Sequence, residues 1–231
     1  MSRIHFIGGE KGGVGKSVIS RLLAQYYIDR KKDFRVYDAD LSHGAMMRYY
    51  RDFSEPVDIT QFESADKIAE YTVSSGTVAI VDLAAQTARP LKQWIADTGL
   101  IELVNDLGLP LTLWHVMDDG ADSFQLLQNL ISDYGNEVEY IVARNFGRGS
   151  NFKHLNEAEL SLEFDNPDLK FIDIPALHSP TMRKIDHISA SFWAAANNKD
   201  SSIGPTLGLL ERQRVKTWLN KAYQQFDKIH D

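Results

Sequence analysis

The stretch Gly8 to Ser17, GGEKGGVGKS, constrains this chain more than any other. Just before it, Arg3-Ile4-His5-Phe6-Ile7 reads as a short buried strand. Just after it, Val18, Leu22, Leu23 and Tyr26 recur at helical spacing within Val18 to Arg30. A strand therefore runs into a Gly-rich turn, and the turn opens a helix. Five of the 15 glycines fall between residues 8 and 15. Glycine is needed where backbone bends sharply or must come close to a ligand. The amides of such a loop, together with the positive end of the helix behind it, make an anion site. Lys16 can then reach the β- and γ-phosphates of a nucleotide, and the Ser17 hydroxyl can ligate Mg²⁺. The stretch predicts a phosphate-binding loop.

The strict phosphate-loop pattern wants glycine where this chain has Glu10. The remaining string, Lys11-Gly12-Gly13-Val14-Gly15-Lys16-Ser17, resembles the deviant Walker A motif of the ParA/MinD group of P-loop ATPases, KGGxxK[ST]. Those proteins tolerate loss of the first glycine. The resemblance implies contact with ATP along Glu10, Lys11, Gly12, Gly13, Val14, Gly15, Lys16, Ser17 and Val18. It also implies that Lys11 crosses an ATP-sandwiched homodimer to reach the partner's phosphates.

Composition narrows the setting. At 231 residues the chain is expected to form a single nucleotide-binding domain over 1–231. Its hydrophobic content of 43% is enough for a sizeable core. A net charge of −7 makes it a poor non-specific nucleic-acid binder, so DNA contact would need a local basic patch. Cysteine is absent, which removes disulfides, Cys-based zinc sites and iron–sulfur clusters. There is no long apolar run and no cationic leader, and the loop begins almost at the N-terminus. The expected location is cytoplasmic, with no leading DNA-binding domain.

Acids close two further strands. Phe34-Arg35-Val36-Tyr37 ends in Asp38-Ala39-Asp40, and Thr77-Val78-Ala79-Ile80-Val81 ends in Asp82. Carboxylates at the C-terminal edge of a sheet stand where α/β proteins place their chemistry. By resemblance, Asp38 and Asp82 join Ser17 around Mg²⁺, and Asp40 orients the attacking water. Lys11, Lys16 and Asp40 are thus the candidate catalytic residues. A nucleotide-sensing segment is expected at Leu41 to Tyr50. Gln86 could position water or cap the next helix. Asn145 ends the strand begun at Glu137, and its amide can both donate to and accept from a base edge. The resemblance assigns it to adenine, with the backbone of Pro175 and Ala176 as a second base contact. Val57 to Thr60 reads as a short edge strand, and His115 as a core histidine.

The last helix, from about Thr206 to His230, carries Val215, Trp218, Leu219, Ala222, Tyr223, Phe226 and Ile229 on one face. Its charged residues leave only a small positive excess, so docking onto the sheet is expected rather than membrane binding.

The order of elements predicts a three-layer α/β/α P-loop domain with a mainly parallel sheet of about seven or eight strands. The resemblance implies a slow Mg-dependent ATPase that acts as an ATP-dimerised switch, with hydrolysis stimulated by a protein partner. Partitioning, plasmid mobilisation and positioning of a protein complex are the expected settings. Two alternatives remain open. One is a small-molecule kinase or ligase of the dethiobiotin or cobyrinic acid amide synthetase kind, which would release ADP only with substrate. The other is a non-hydrolysing adaptor, on which bound ATP would survive long incubation.

Overall fold

The computed structural model describes residues 2–153, 155, 168–200, 202 and 204–230. Among these, seven strands form one sheet in the order β3-β2-β4-β1-β5-β6-β7. The strands are β1 (Arg3–Gly8), β2 (Phe34–Asp38), β3 (Ser54–Pro56), β4 (Val78–Asp82), β5 (Leu111–Met117), β6 (Glu139–Asn145) and β7 (Leu169–Ile174), and every pairing between neighbours is parallel. This is the expected three-layer fold. The edge strand is the one displaced element: it lies at Ser54–Pro56 rather than Val57–Thr60. There Ser54 Oγ donates to the carbonyl of Tyr50 at 2.8 Å, which ties the strand to the turn before it. Val57 and Ile59 instead point into the core.

Both faces of the sheet are covered, so its strands read as continuous apolar runs rather than alternating ones. Successive residues still point to opposite sides. Ile7, Val36, Ile80, Trp114, Val116, Ile141 and Ile174 face one layer, and Phe6, Tyr37, Val81, Leu113, Tyr140 and Val142 face the other. The first layer holds α1 (Lys16–Asp29), α2 (Ala45–Tyr49), α7 (Ser179–His187), α8 (Phe192–Asn197) and α9 (Leu209–His230). The second holds α3 (Phe62–Ser75), α4 (Ala88–Thr98), α5 (Leu100–Asp106) and α6 (Ala121–Tyr134).

The break between α4 and α5 falls at Gly99, whose φ of 61° suits glycine. The apolar stripe of α9 is spent inside the protein. Val215, Trp218, Leu219, Ala222, Phe226 and Ile229 are all buried, with Tyr26 and Trp114 ring-packed against Phe226. None of the described helices is long and apolar enough to cross a membrane.

The topology places the chemistry. β1 lies between β4 and β5, with Ile7 opposite Asp82 and Gly8 opposite His115. Asp38 stands beside Asp82 on the next strand pair. The Gly-rich loop, both acidic strand ends and the end of β6 therefore share one carboxyl edge, at the point where strand order reverses around β1.

Candidate functional site

The loop after β1 works through its glycines. Gly9 has φ +133°, and a Cβ there would meet the Val116 carbonyl oxygen at 2.5 Å. Gly15 has φ +99°, and a Cβ would meet Asn145 Nδ2 at 2.3 Å. Any side chain at either position would clash with neighbouring atoms and strain the backbone. Gly15 also precedes the first residue of α1, whose free amides open into the loop.

Lys16 is buried, and its Nζ donates to the Lys11 carbonyl at 3.0 Å. Burial lowers its pKa, while the charges of Asp82, Glu10 and Asp40 act in the opposite sense. Lys16 thus sits within reach of the charges of Asp82, Glu10 and Asp40 at the mouth of the loop.

Asp82 is fully buried at the end of β4. Ser20 Oγ donates to its Oδ1 at 2.8 Å, while Oδ2 has no hydrogen-bond partner. Burial pushes its pKa up to about 7, and the hydroxyls of Ser20 and Ser17 hold it back. A buried carboxylate oxygen without a donor is costly, and a cation beside it removes that cost. Ser17, Asp82 and the open oxygen therefore fit a hard divalent cation.

Asp38 is bonded to backbone. Its Oδ1 accepts the Asp40 amide at 3.2 Å, and its Oδ2 accepts the amides of Met46 at 2.8 Å and Met47 at 3.0 Å. The bonds from Met46 and Met47 fasten the start of α2 to the sheet edge. Desolvation raises its pKa, and those backbone bonds act against the rise. Asp40 stays half-buried, accepts the amides of Ser42 and His43, and faces His43 Nδ1 at 3.1 Å.

Lys11 lies on the other side of the loop. Its Nζ is 2.9 Å from Asp118 Oδ2 and 2.9 Å from Asp122 Oδ1, in the turn after β5 and the first turn of α6. Hydrogen bonds to these two acids raise its pKa. Glu10 also turns to a structural task. Its Oε1 accepts the Ala88 amide at 2.7 Å and so satisfies the start of α4. Gln86 does not cap that helix: it is exposed, with φ 63°.

Beside the loop a cavity of about 280 Å³ opens between α1, the end of β6, the turn after β7, and α7. Val18, Asn145, Pro175, Leu177, Arg183 and Asp186 are among its lining residues. Asn145 Nδ2 donates to the Val14 carbonyl at 2.7 Å, and its Oδ1 accepts the Gly147 amide at 3.0 Å. The amide therefore braces the loop while it borders the cavity, with one N–H and one lone pair left. Pro175 also borders the cavity, whereas Ala176 faces a separate groove.

Several residues at the site escape a reading of sequence alone. Ser20, one turn beyond Ser17 in α1, supports Asp82. Arg21 is buried between the rings of Tyr49 and Phe192, at 3.6 and 4.4 Å from their centres, and donates to Asp186 at 2.8 Å. Arg48 donates to the Asp186 carbonyl at 2.8 Å, and Tyr49 to its carboxylate at 3.3 Å. Asp186 thereby joins α2, which Asp38 fastens, to the wall of the cavity. Only the small polar residue on the buried side of α1 could have signalled Ser20. Nothing local marks the Arg21–Asp186 pair, whose members lie 165 residues apart.

No family model matches the chain. Among curated proteins, it is 25% identical to Protein MobD of Acidithiobacillus ferrooxidans, over 98% of this chain and 97% of that protein. It is 23% identical to a Protein TraL of Escherichia coli, over 98% of each. Among solved structures, MinD of Aquifex aeolicus superposes with a TM-score of 0.56 at 12% identity, covering 97% of both chains. A putative plasmid partition protein of Borrelia burgdorferi bound to AMPPNP gives 0.52 at 13% identity, covering 99% of both. A nucleotide-binding protein of Archaeoglobus fulgidus in complex with ADP gives 0.51 at 17% identity, covering 80% of this chain and 86% of that one. The chain has the fold of the ParA/MinD-type P-loop ATPases and carries that group's KGGxxK[ST] string at residues 11–17.

Proposed function

We propose that this chain is a Mg-dependent, slowly hydrolysing ATPase that serves as a dimerisation switch for a protein partner. The observation that carries the reading is the buried, unpartnered Asp82 Oδ2 at the foot of a loop that only glycine can form. Two structural neighbours, described as complexes with ADP and AMPPNP, support a nucleotide in this place. Ser17 and Asp82 would hold Mg²⁺, which supplies positive charge to the β- and γ-phosphate oxygens.

The chain's own residues divide the remaining work. The amides of Gly12 to Ser17 cradle phosphate, and Lys16 adds a charge that burial keeps concentrated. Asp40 accepts a hydrogen bond from water and turns its lone pair toward phosphorus. Strong basicity is not required, because the phosphoryl transition state is loose. Asp38 sets the position of α2, so the Leu41 to Tyr50 segment can respond to the terminal phosphate. Asn145 and Pro175, which border the cavity, take the adenine side. Lys11 must leave Asp118 and Asp122 to reach a second protomer.

The kinase or ligase alternative needs a second site for an acidic substrate. A cavity of about 230 Å³ lies under the loop on the α4–α6 side, but it is largely apolar and no Lys or Arg lines it. That chemistry disfavours a biosynthetic acid.

The test is the solution mass of the Asp40→Ala protein by light scattering after gel filtration. A dimer with Mg·ATP and a monomer with Mg·ADP is expected, with ATP bound and phosphate release lost. A monomer in both states, or unimpaired hydrolysis, would overturn the switch or the role of Asp40 respectively.

A further inference from the structure

A second concavity lies behind the turn that follows β7. This groove, of about 360 Å³, runs between that turn and the outer face of α9. Pro175, Ala176 and His178 form one side, and Leu210, Arg214 and Lys221 form the other. No carboxylate lines it. Residues 210, 214, 217 and 221 recur at helical spacing, so they make one continuous stripe on α9.

Two features of the stripe bear on what it can bind. Arg214 and Lys221 make no close ion pair or hydrogen bond among the described residues, although the charge of Arg214 acts on Glu211. The neighbouring acid Glu211 is taken by Lys184 at 2.5 Å and by the Gly208 amide at 2.9 Å. Two helical turns separate the two cations, about 10 Å along the axis. Leu210, one turn before Arg214, is 67% exposed, and Leu209 beside it is 73% exposed. Two cations in a groove that no carboxylate lines, with a bare aliphatic lip, match a peptide carrying carboxylates and one apolar anchor.

Duplex DNA is a poorer match. Three other basic residues of the region do not extend the stripe, and Lys216, exposed on the same helix, falls outside the row of residues 210, 214, 217 and 221. Arg183 borders the cavity beside the loop, Lys184 is paired, and the Arg212 guanidinium is turned onto the Leu207 carbonyl. The chain as a whole carries −7.

We propose that the groove between the Pro175–His178 turn and α9 is the docking site for an acidic, apolar-anchored segment of a partner protein. The groove is coupled to the nucleotide cavity by a shared wall. Pro175, Leu177 and Trp218 line both, and Trp218 Nε1 donates to the Pro175 carbonyl at 2.6 Å. A segment seated in the groove presses on the turn that frames the base. Docking itself does not depend on the nucleotide reading, whereas the coupling rests on it.

The probe is a phage-displayed library of random dodecapeptides, panned on the full chain without nucleotide. Recovered peptides should carry at least two acids and an aromatic or aliphatic residue. A synthetic copy of the strongest should lose about tenfold in affinity with Arg214→Glu and with Lys221→Glu, and less with Leu210→Ser. Unchanged melting temperatures would show that these exposed substitutions leave the fold intact. Failure to recover such peptides, or binding indifferent to both charge reversals, overturns the docking site. So does binding of short duplex DNA or of phosphatidylglycerol vesicles that the same reversals abolish, since the stripe would then belong to nucleic acid or lipid. A peptide affinity that differs between Mg·ATP and Mg·ADP supports the coupling. Equal affinities, with both nucleotides shown to bind, remove the coupling and leave the docking site standing.

Discussion

The two ends of the candidate nucleotide site are built in opposite ways. The phosphate end is one contiguous stretch, Gly8 to Ser20, closed by a single acid from the neighbouring strand. Its donors are mostly backbone, and its shape comes from glycine. The base end gathers Val18, Asn145, Pro175, Arg183, Asp186 and Trp218 from five separate parts of the fold. Its donors are side chains, and its shape comes from tertiary packing. A local device breaks all at once, whereas a distributed one loses affinity by degrees.

Substitutions at the phosphate end should therefore give the largest effects. Lys16→Ala removes the buried ammonium, and nucleotide affinity by calorimetry should fall about 100-fold or more. If the loss were small, the loop would hold phosphate by amides alone and the contrast would weaken.

Asp82→Asn probes the same end through stability. The folded pKa of about 7 lies above the ordinary carboxylate value, so the native state holds the proton more tightly than the unfolded chain. Metal-free stability then falls as pH rises from about 4 to about 7 and levels off above that. The asparagine keeps an acceptor for Ser20 and removes the ionisation. Melting curves without Mg²⁺ should place the variant several degrees above the wild type at about pH 8, and together with it near pH 4. A constant gap across pH would assign the effect to packing.

Gly15→Ala attacks the joint between the two ends. The new Cβ would need φ +99° and the space of Asn145 Nδ2, and should cost about 1–3 kcal/mol in a denaturant titration. Asn145→Ala should be milder at the phosphates, with ATP affinity reduced about tenfold and inorganic phosphate affinity little changed. Equal losses for both ligands would show that Asn145 acts only as a brace for Val14.

The smallest effect belongs to the half-exposed ion pairs. Asp118→Asn with Asp122→Asn frees Lys11, and the ATP-state dimer should tighten by about 2- to 5-fold in sedimentation experiments. A weaker dimer would mean that these acids serve the interface directly.

The same contrast explains what the sequence made legible. The loop, the acids at Asp38 and Asp82, and nearly every strand could be read, because each is a local pattern with a chemical reason. The edge strand was misplaced by three residues, since Val57 and Ile59 are apolar for the core rather than for pairing. Sequence could not show that Asp38 and Glu10 also accept backbone amides, because only the folded chain brings most of those amides near. Asp186, Arg21 and the pair that holds Lys11 had no local signature, because their meaning lies in distant partners.

The central position of β1 also governs the order of assembly. Its pairing partners lie about 75 and 107 residues downstream, so β1 is enclosed on both sides only once β5 has been made. Such non-local pairing is slow to form. During synthesis, the phosphate loop stays open-sided until residues 111–117 have left the ribosome. A nascent chain stopped short of β5 would expose one edge of β1 and would be prone to mispairing rather than to binding nucleotide.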